Sequence, residues 1–467
     1  MDPHSRSAFE QLMARIGLSE SDTGGQVSFT GADPVLPSRL RYGAATASAL
    51  AAQGAAIATI WKMRSGRGQN VSVDLARAVH LGLRTVQNMR QNGREFGVGS
   101  LTRSTNFFRT KDGRHIYLLR NTGRGNITTD LVGFLKCANN NDEIAQAVAQ
   151  WNSHDLEEAL AGLKLPASIA RTPDEWLAHP QGQWLAQRPG VHIEKIGDSA
   201  PEPFLPAARP MSGIRVLDAS HVIAGPATGR MLAEHGADVL HVTTPAEQEN
   251  LQIIIDTGFG KRAAYIDLNK VQDVEQLRRL AMSADIFLQS WRPGAMDRRG
   301  FSAKDLAAIR PGIVCVSLSC YGQEGDWAPR GGYEPIGQAT SGLSVMEGSL
   351  AAPRNAPTTT MNDYLTAYLA AAGALGALVR RAREGGSYHV TTSLSQSSMW
   401  VLGRGVLADA QVPSSMPAYE TAPGEIETMQ SAFGEIRYAT PVTQFSETPA
   451  FWANPPQPAG ASAAQWW

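Results

Sequence analysis

Short runs rich in Val, Ile and Leu alternate with helical segments through the middle of this 467-residue chain. That alternation predicts an α/β fold built on a Rossmann-like parallel sheet. Two further observations support the class. Hydrophobic residues make up 43% and charged residues 18%, the balance of a globular protein, which excludes wholesale disorder. A stretch of proline and small residues (PEPFLPAARP, from Pro201) divides the chain near Arg209.

The elements follow in order. The run from Gly213 (GIRVLDAS) predicts a strand, and the run from His221 (HVIAGPATGRMLAEHGA) a turn entering a helix. A second buried strand starts at Asp238 (DVLHV) and a third at Arg262 (RAAYIDL). From Val274, VEQLRRLAMSA spaces its apolar residues as a helix does. The runs from Asp285 (DIFLQS) and Ile313 (IVCVSLS) complete the alternation. The turn after the first strand reads AGPATG, not GxGxxG, and HVTTP supplies no acidic residue after the second, so neither support of an NAD site is present.

Composition narrows function further. Net charge is −1, so no global basic field exists to hold nucleic acid or an anionic membrane. Cys137, Cys315 and Cys320 form no CxxC pair, which excludes a disulfide framework or a cysteine zinc knuckle. The first fifteen residues contain no apolar signal core, and with the cysteine usage this places the expectation in the reducing cytoplasm. Ten histidines lie scattered without HExxH, and GRGQ and GFGKR are not P-loops, so no metal is expected. The ten tryptophans read as packing or tail anchors. Two Ala-rich stretches, 44–61 and 365–379, read as buried helices and not membrane spans.

Those two stretches form an internal repeat. From Ala44 and from Asp363, a glycine follows at ten residues (Gly54, Gly373) and another at twenty-two (Gly66, Gly385), and then a β-rich strand. Each unit predicts a long buried helix with a basic end, a glycine cap and a strand, and the gapless match indicates duplication. One difference matters most: Asp363 stands where the other copy has Ala44. In isolation, a carboxylate at a helix start reads as a cap.

Several ordered motifs resemble the class III CoA-transferases, the CaiB/BaiF family of formyl-CoA transferase, carnitine CoA-transferase and α-methylacyl-CoA racemase. They are GIRVLDASHVIAGP from Gly213, GADVLHV from Gly236, GKRAAYIDL from Gly260, RPGAMDRRGF from Arg292, PGIVCVSLSCYGQEG from Pro311 and GYEPIGQATSGL from Gly332. Asp363 and the Gly385 turn follow. The N-terminal half resembles other parts of the same fold at SGRGQNVSVDLARA (Ser65), FFRTKDGRHIYL (Phe107) and EWLAHPQ (Glu175). The resemblance implies a partial copy without the nucleophile over 1–200, including a smaller α+β domain beside the Rossmann-like one; the proline-rich run over 201–210 reads as a linker. A Rossmann-like domain carrying the catalytic Asp follows over 211–410, and the Pro-, Ser-, Ala- and Thr-rich stretch over 411–467 reads as an extended tail, wrapped on a partner or partly disordered. Two chains interlock in this family, so a homodimer is expected.

The resemblance also implies chemistry. The family moves coenzyme A, a substrate here, from an acyl-CoA to a small carboxylic acid through an aspartyl anhydride and an aspartyl-CoA thioester. Asp363 matches the nucleophile, with Glu334 and Tyr333 as further catalytic positions. His221, Val222, Ala224, Lys261, Arg262, Ser290, Trp291, Arg292 and Arg298 match CoA-binding positions; read alone, each Arg is a surface cation and Glu334 a solvated loop acid. Neither NAD nor a metal is implied. A racemase or isomerase of the same family is the alternative, although its His is replaced by Tyr333; a catalytically silent CoA-binding subunit is another. Ile223 replaces a Gln of formyl-CoA transferase, which disfavours small polar acids. Gly258-Phe259, Thr243 and Thr244 also depart from the family pattern.

Overall fold

The computed structural model describes residues 2–96, 106–120, 126–188, 190–246, 249–358 and 360–467. The N-terminal repeat unit consists of strand β1 (Val27–Thr30), helix α1 (Tyr42–Ser65) and strand β2 (Val71–Asp74). A small α+β domain follows, in which the three-stranded antiparallel sheet Phe107–Arg109, His115–Leu118 and Ala167–Ile169 closes a core of its own with three helices. The chain then enters strand β3 (His192–Gly197).

The Rossmann-like domain begins with β4 (Arg215–Asp218), α2 (Ala224–Ala233), β5 (Asp238–Thr243), β6 (Arg262–Tyr265), β7 (Ile286–Gln289) and β8 (Val314–Ser319). Helices α3 (Glu334–Ser341) and α4 (Met361–Glu384), strand β9 (Ser387–Ser393) and helix α5 (Leu394–Leu402) complete it. The seven strands lie in the order β6-β5-β4-β7-β8-β9-β3. The first six are parallel and follow doubly wound order; β3 joins the end antiparallel. Val216, Leu217, Val314 and Val316 are wholly buried, which explains their near-continuous apolar runs. The α/β reading of the sequence is borne out element by element.

The repeat is closer in three dimensions than its spacing required. α1 and α4 each have 24 residues and start two residues before Ala44 and Asp363. They pack along each other through small side chains, and both are almost wholly buried. The N-terminal unit also keeps a strand that its sequence did not announce. β1 runs parallel to β2 with Val27 opposite Val71, as β8 runs parallel to β9 with Val316 opposite the equivalent Val390.

The chain downstream of each copy completes the other. β3, which follows the first copy, pairs antiparallel with β9 of the second, Ile193 facing Val390. Strand β10 (Gln444–Phe445), which follows the second copy, pairs antiparallel with β2 of the first, Phe445 facing Val71. The equivalent glycines seat these crossings. A Cβ on Gly54 would lie 2.8 Å from Val71 and Thr443 side-chain atoms, and one on Gly373 2.6 Å from those of Val390 and Val191. The interlocking that the family resemblance assigns to two chains thus has a counterpart inside one.

The segment after Gln411 departs from the expected extended tail. It forms the hairpin Ile426–Ser431 and Gly434–Ala439, then β10, and then crosses its own Rossmann-like domain. The Trp452 indole donates to the Arg230 carbonyl (3.2 Å), the Trp466 indole to that of Leu280 (3.2 Å), and Ser462 N–H to that of Ala263 on β6 (2.8 Å). This last contact covers the sheet edge that would otherwise stay open. α1 is the one described helix long and apolar enough to cross a membrane, and its apolar stretch is wholly buried in protein.

Candidate active site

A cavity of about 340 Å³ opens at the carboxyl ends of β4 and β7, where the strand order reverses, the usual ligand position in doubly wound sheets. Nine of the twelve residues singled out in the sequence line it: His221, Val222, Ala224, Ser290, Trp291, Arg292, Arg298, Tyr333 and Asp363. After β4 the backbone turns sharply. Val222 has φ of 65°, a left-handed conformation costly for a β-branched residue, and its N–H donates to Glu249 Oε1 (2.6 Å). His221 N–H donates to Ser290 Oγ (2.9 Å), and the His221 ring lies 4.4 Å from that of Trp291. The Trp291 indole is held by the Ala219 carbonyl (2.9 Å). These bonds tie the loops after β4 and β7 into one wall.

Asp363 enters from the opposite side, in the first turn of α4. The helix starts at Met361, so Asp363 lies inside it and makes no capping bond. Its residue is 7% exposed, and no described residue donates a hydrogen bond to its carboxylate. Burial, and secondly the negative charge of Glu334, hold its pKa well above the ordinary carboxyl range.

Glu334 stands behind Asp363 and does not line the cavity. It accepts from Gln338 Nε2 (2.6 Å) and Asn362 N–H (3.0 Å), so it anchors the start of α4. Burial raises its pKa to about 7, against the pull of those two bonds. Asn362 is fixed in turn by Ser398 Oγ (2.7 Å). The small domain settles on α3, where Ser168 and Thr340 hydroxyls meet at 2.7 Å and Arg171 N–H donates to Ala339 (3.1 Å).

Lys261 and Arg262 do not join this cavity, contrary to their expected place among the CoA-binding residues. Lys261 is 3% exposed, and its ammonium donates to Asp218 Oδ2 (2.8 Å) and the Pro226 carbonyl (2.6 Å). Arg262 bonds Asp238 (2.8 Å) and the Gln465 carbonyl (2.6 Å) beneath the Trp467 ring. Both border a separate, smaller cavity. Each lies on or beside the edge strand β6, which the C-terminal segment covers, so each buried cation must be paired, and the local run GKRAAY did not reveal that.

Leu318, Cys320, Arg330, Thr366 and Leu394 also line the cavity and were not singled out. Cys320 and Leu394 follow the ends of β8 and β9, where strands deliver residues to a switch-point site; strand ends were the available signal. Arg330 comes from a loop with no such signal. It is bound by both carboxylate oxygens of Glu158 (2.8 Å each) and lies over the Trp327 ring.

The model of the family described as CoA-transferase family III matches residues 14–188 and 211–424. The chain is 29% identical over 329 residues to the acetyl-coenzyme A transferase nodX of Hypoxylon pulicicidum, covering 64% of this chain and 54% of that one. It is 30% identical over 189 residues to the succinyl-CoA–D-citramalate CoA-transferase of Chloroflexus aurantiacus, covering 38% and 47%. Among solved structures it is similar to a hypothetical protein (Rv3272) of Mycobacterium tuberculosis, at 28% identity and a TM-score of 0.39, covering 42% of this chain and 58% of that one. The chain spans about half the length of the curated relatives it matches. With 14–188 and 211–424 both within one family's pattern, the chain belongs to CoA-transferase family III.

Proposed function

We propose that this protein exchanges coenzyme A between an acyl-CoA and a free carboxylic acid, with Asp363 as the nucleophile. The observation that carries this reading is Asp363 itself, the only acidic residue among those described around the cavity, buried at its wall and without a hydrogen-bond donor. A desolvated, unbonded carboxylate is more nucleophilic than a solvated one once it is ionised.

In the first step a carboxylate oxygen of Asp363 attacks the thioester carbonyl carbon. The C–S bond breaks, CoA leaves as thiolate and a mixed anhydride remains. The thiolate then attacks the aspartyl carbonyl, expelling the first acid as its carboxylate and leaving an aspartyl-CoA thioester. The acceptor carboxylate attacks that thioester, releasing thiolate and forming a second anhydride. Attack of the thiolate on the acceptor's acyl carbon gives the new acyl-CoA and restores Asp363. One thioester replaces another, so no nucleotide is consumed.

The remaining residues suit supporting tasks. Arg292 and Arg298 are exposed at the cavity, in keeping with CoA phosphates, and the His221–Trp291 pair offers flat rings to the adenine. Buried Ile223, Leu318 and Leu394 limit water, which would otherwise hydrolyse the anhydride. The test is chromatography of acyl-CoAs after mixing the protein with butyryl-CoA and isotopically labelled propionate without ATP. Labelled propionyl-CoA is expected; its absence across a panel of donor and acceptor pairs would remove the reading.

A further inference from the structure

The relatives' names span acetyl and succinyl groups, a neutral and a charged acyl class, and the cavity discriminates between them. Around Asp363 the wall is built from Ile223, Leu318, Cys320 and Leu394, all buried. The hydroxyls among its lining residues, Ser290, Ser319, Tyr333 and Thr366, are neutral, and that of Thr366 is engaged by Ser397 Oγ (2.6 Å).

Asp363 and Glu334 are both buried, and Glu334 is close enough for its charge to act on Asp363. A third carboxylate there would lose its hydration and meet two acids.

Among the described residues, the cations that line the cavity do not offset this. Arg330 is pinned between Glu158 and the Trp327 ring. Arg292 and Arg298 are exposed, and Arg292 donates to the Lys164 carbonyl (3.2 Å). Lys261 is sealed into its pair with Asp218.

We propose that the acids exchanged at Asp363 are monocarboxylic and apolar beyond the reacting group, and that dicarboxylic acyl groups are rejected. This rests on the transferase reading above. Ile223, at the entry to α2 and in contact with the cavity, is the specificity-determining side chain.

The experiment compares butyryl-CoA with succinyl-CoA, which have the same acyl length and differ by a methyl against a carboxylate. The readout is the rate of hydroxylamine-trapped aspartyl hydroxamate, followed by intact mass. Labelling from butyryl-CoA is expected to be at least roughly tenfold faster. The methyl ester of succinyl-CoA (3-methoxycarbonylpropionyl-CoA), in which the distal acid is masked, is expected to recover most of the butyryl rate. In Ile223→Arg the ratio is expected to move toward succinyl-CoA; the ester comparison does not depend on that variant folding. Equal rates from butyryl- and succinyl-CoA, or no recovery with the ester, would overturn the proposal while leaving the transferase reading intact. No labelling from any donor would overturn both.

Discussion

The two repeat units differ in what surrounds equivalent helix starts. In the first, Asp33 binds the N–H groups of Gly43 and Ala44 (2.9 Å each), and the helix opens with the wholly buried methyl of Ala44. In the second, Glu334 binds the N–H of Asn362, the residue equivalent to Gly43 (3.0 Å), and the next side chain is Asp363, facing a cavity. Both copies therefore use an acid from an earlier segment to hold the helix start, and only one adds a second acid. The comparison separates the acid that builds the helix start from the acid available for chemistry. The helix α1 of the first copy still braces α4, and β3, downstream of that copy, pairs with β9.

Making the second copy resemble the first produces the largest effect. Asp363→Ala is expected to lower CoA transfer by at least about a thousandfold, with no loss of Tm. The reverse change is not symmetrical. Ala44→Asp places a carboxylate where the residue is 0% exposed, and is expected to cost about 2–5 kcal/mol in denaturant unfolding and add no second labelled site. If it folds normally and becomes acylated, the two environments are more alike than the geometry indicates.

The crossings sharpen the comparison further. Gly54→Ala and Gly373→Ala are each expected to destabilise by about 1–3 kcal/mol, because each forces a methyl between its own copy's strand (Val71, Val390) and the chain entering the crossing strand (Thr443, Val191). A large effect at one and none at the other would show that only one crossing bears on stability.

Glu334→Gln gives the smallest change and the most diagnostic one. Removing its charge lets Asp363 ionise more easily, so the acidic limb of the kcat/KM profile is expected to move to lower pH. Stability responds with a definite sign. A carboxyl whose folded pKa lies above its ordinary 4.5, at about 7, binds its proton more tightly in the folded state. Its stabilising contribution is present at low pH and is lost as pH rises from about 4.5 through 7. Glu334→Gln removes that slope, so its Tm is expected to gain on the wild type's between pH 5 and pH 8.

Local pattern made the Rossmann-like half legible, because parallel strands buried on both faces leave apolar runs that cannot be mistaken for exposed loops. The repeat was equally plain, since glycine spacing survives where close packing forbids a Cβ, as at Gly54 and Gly373. Partnership between distant segments was not legible. β10 has two residues and no pattern of its own, and its place is fixed by β2, far away in sequence. The pairing of Lys261 with Asp218 was hidden for the same reason, because a buried cation and an exposed one read alike along the chain. Those residues singled out by the family resemblance that line the cavity come mostly from segments after strand ends and from a helix start, where doubly wound sheets gather side chains.

The most direct test of the account is peptide mapping after incubation with butyryl-CoA and hydroxylamine, for the wild type and Asp363→Ala. The account predicts a hydroxamate on the peptide containing Asp363 in the wild type and none in the variant. A hydroxamate that persists in Asp363→Ala, or no hydroxamate from a wild type that binds CoA, would contradict it.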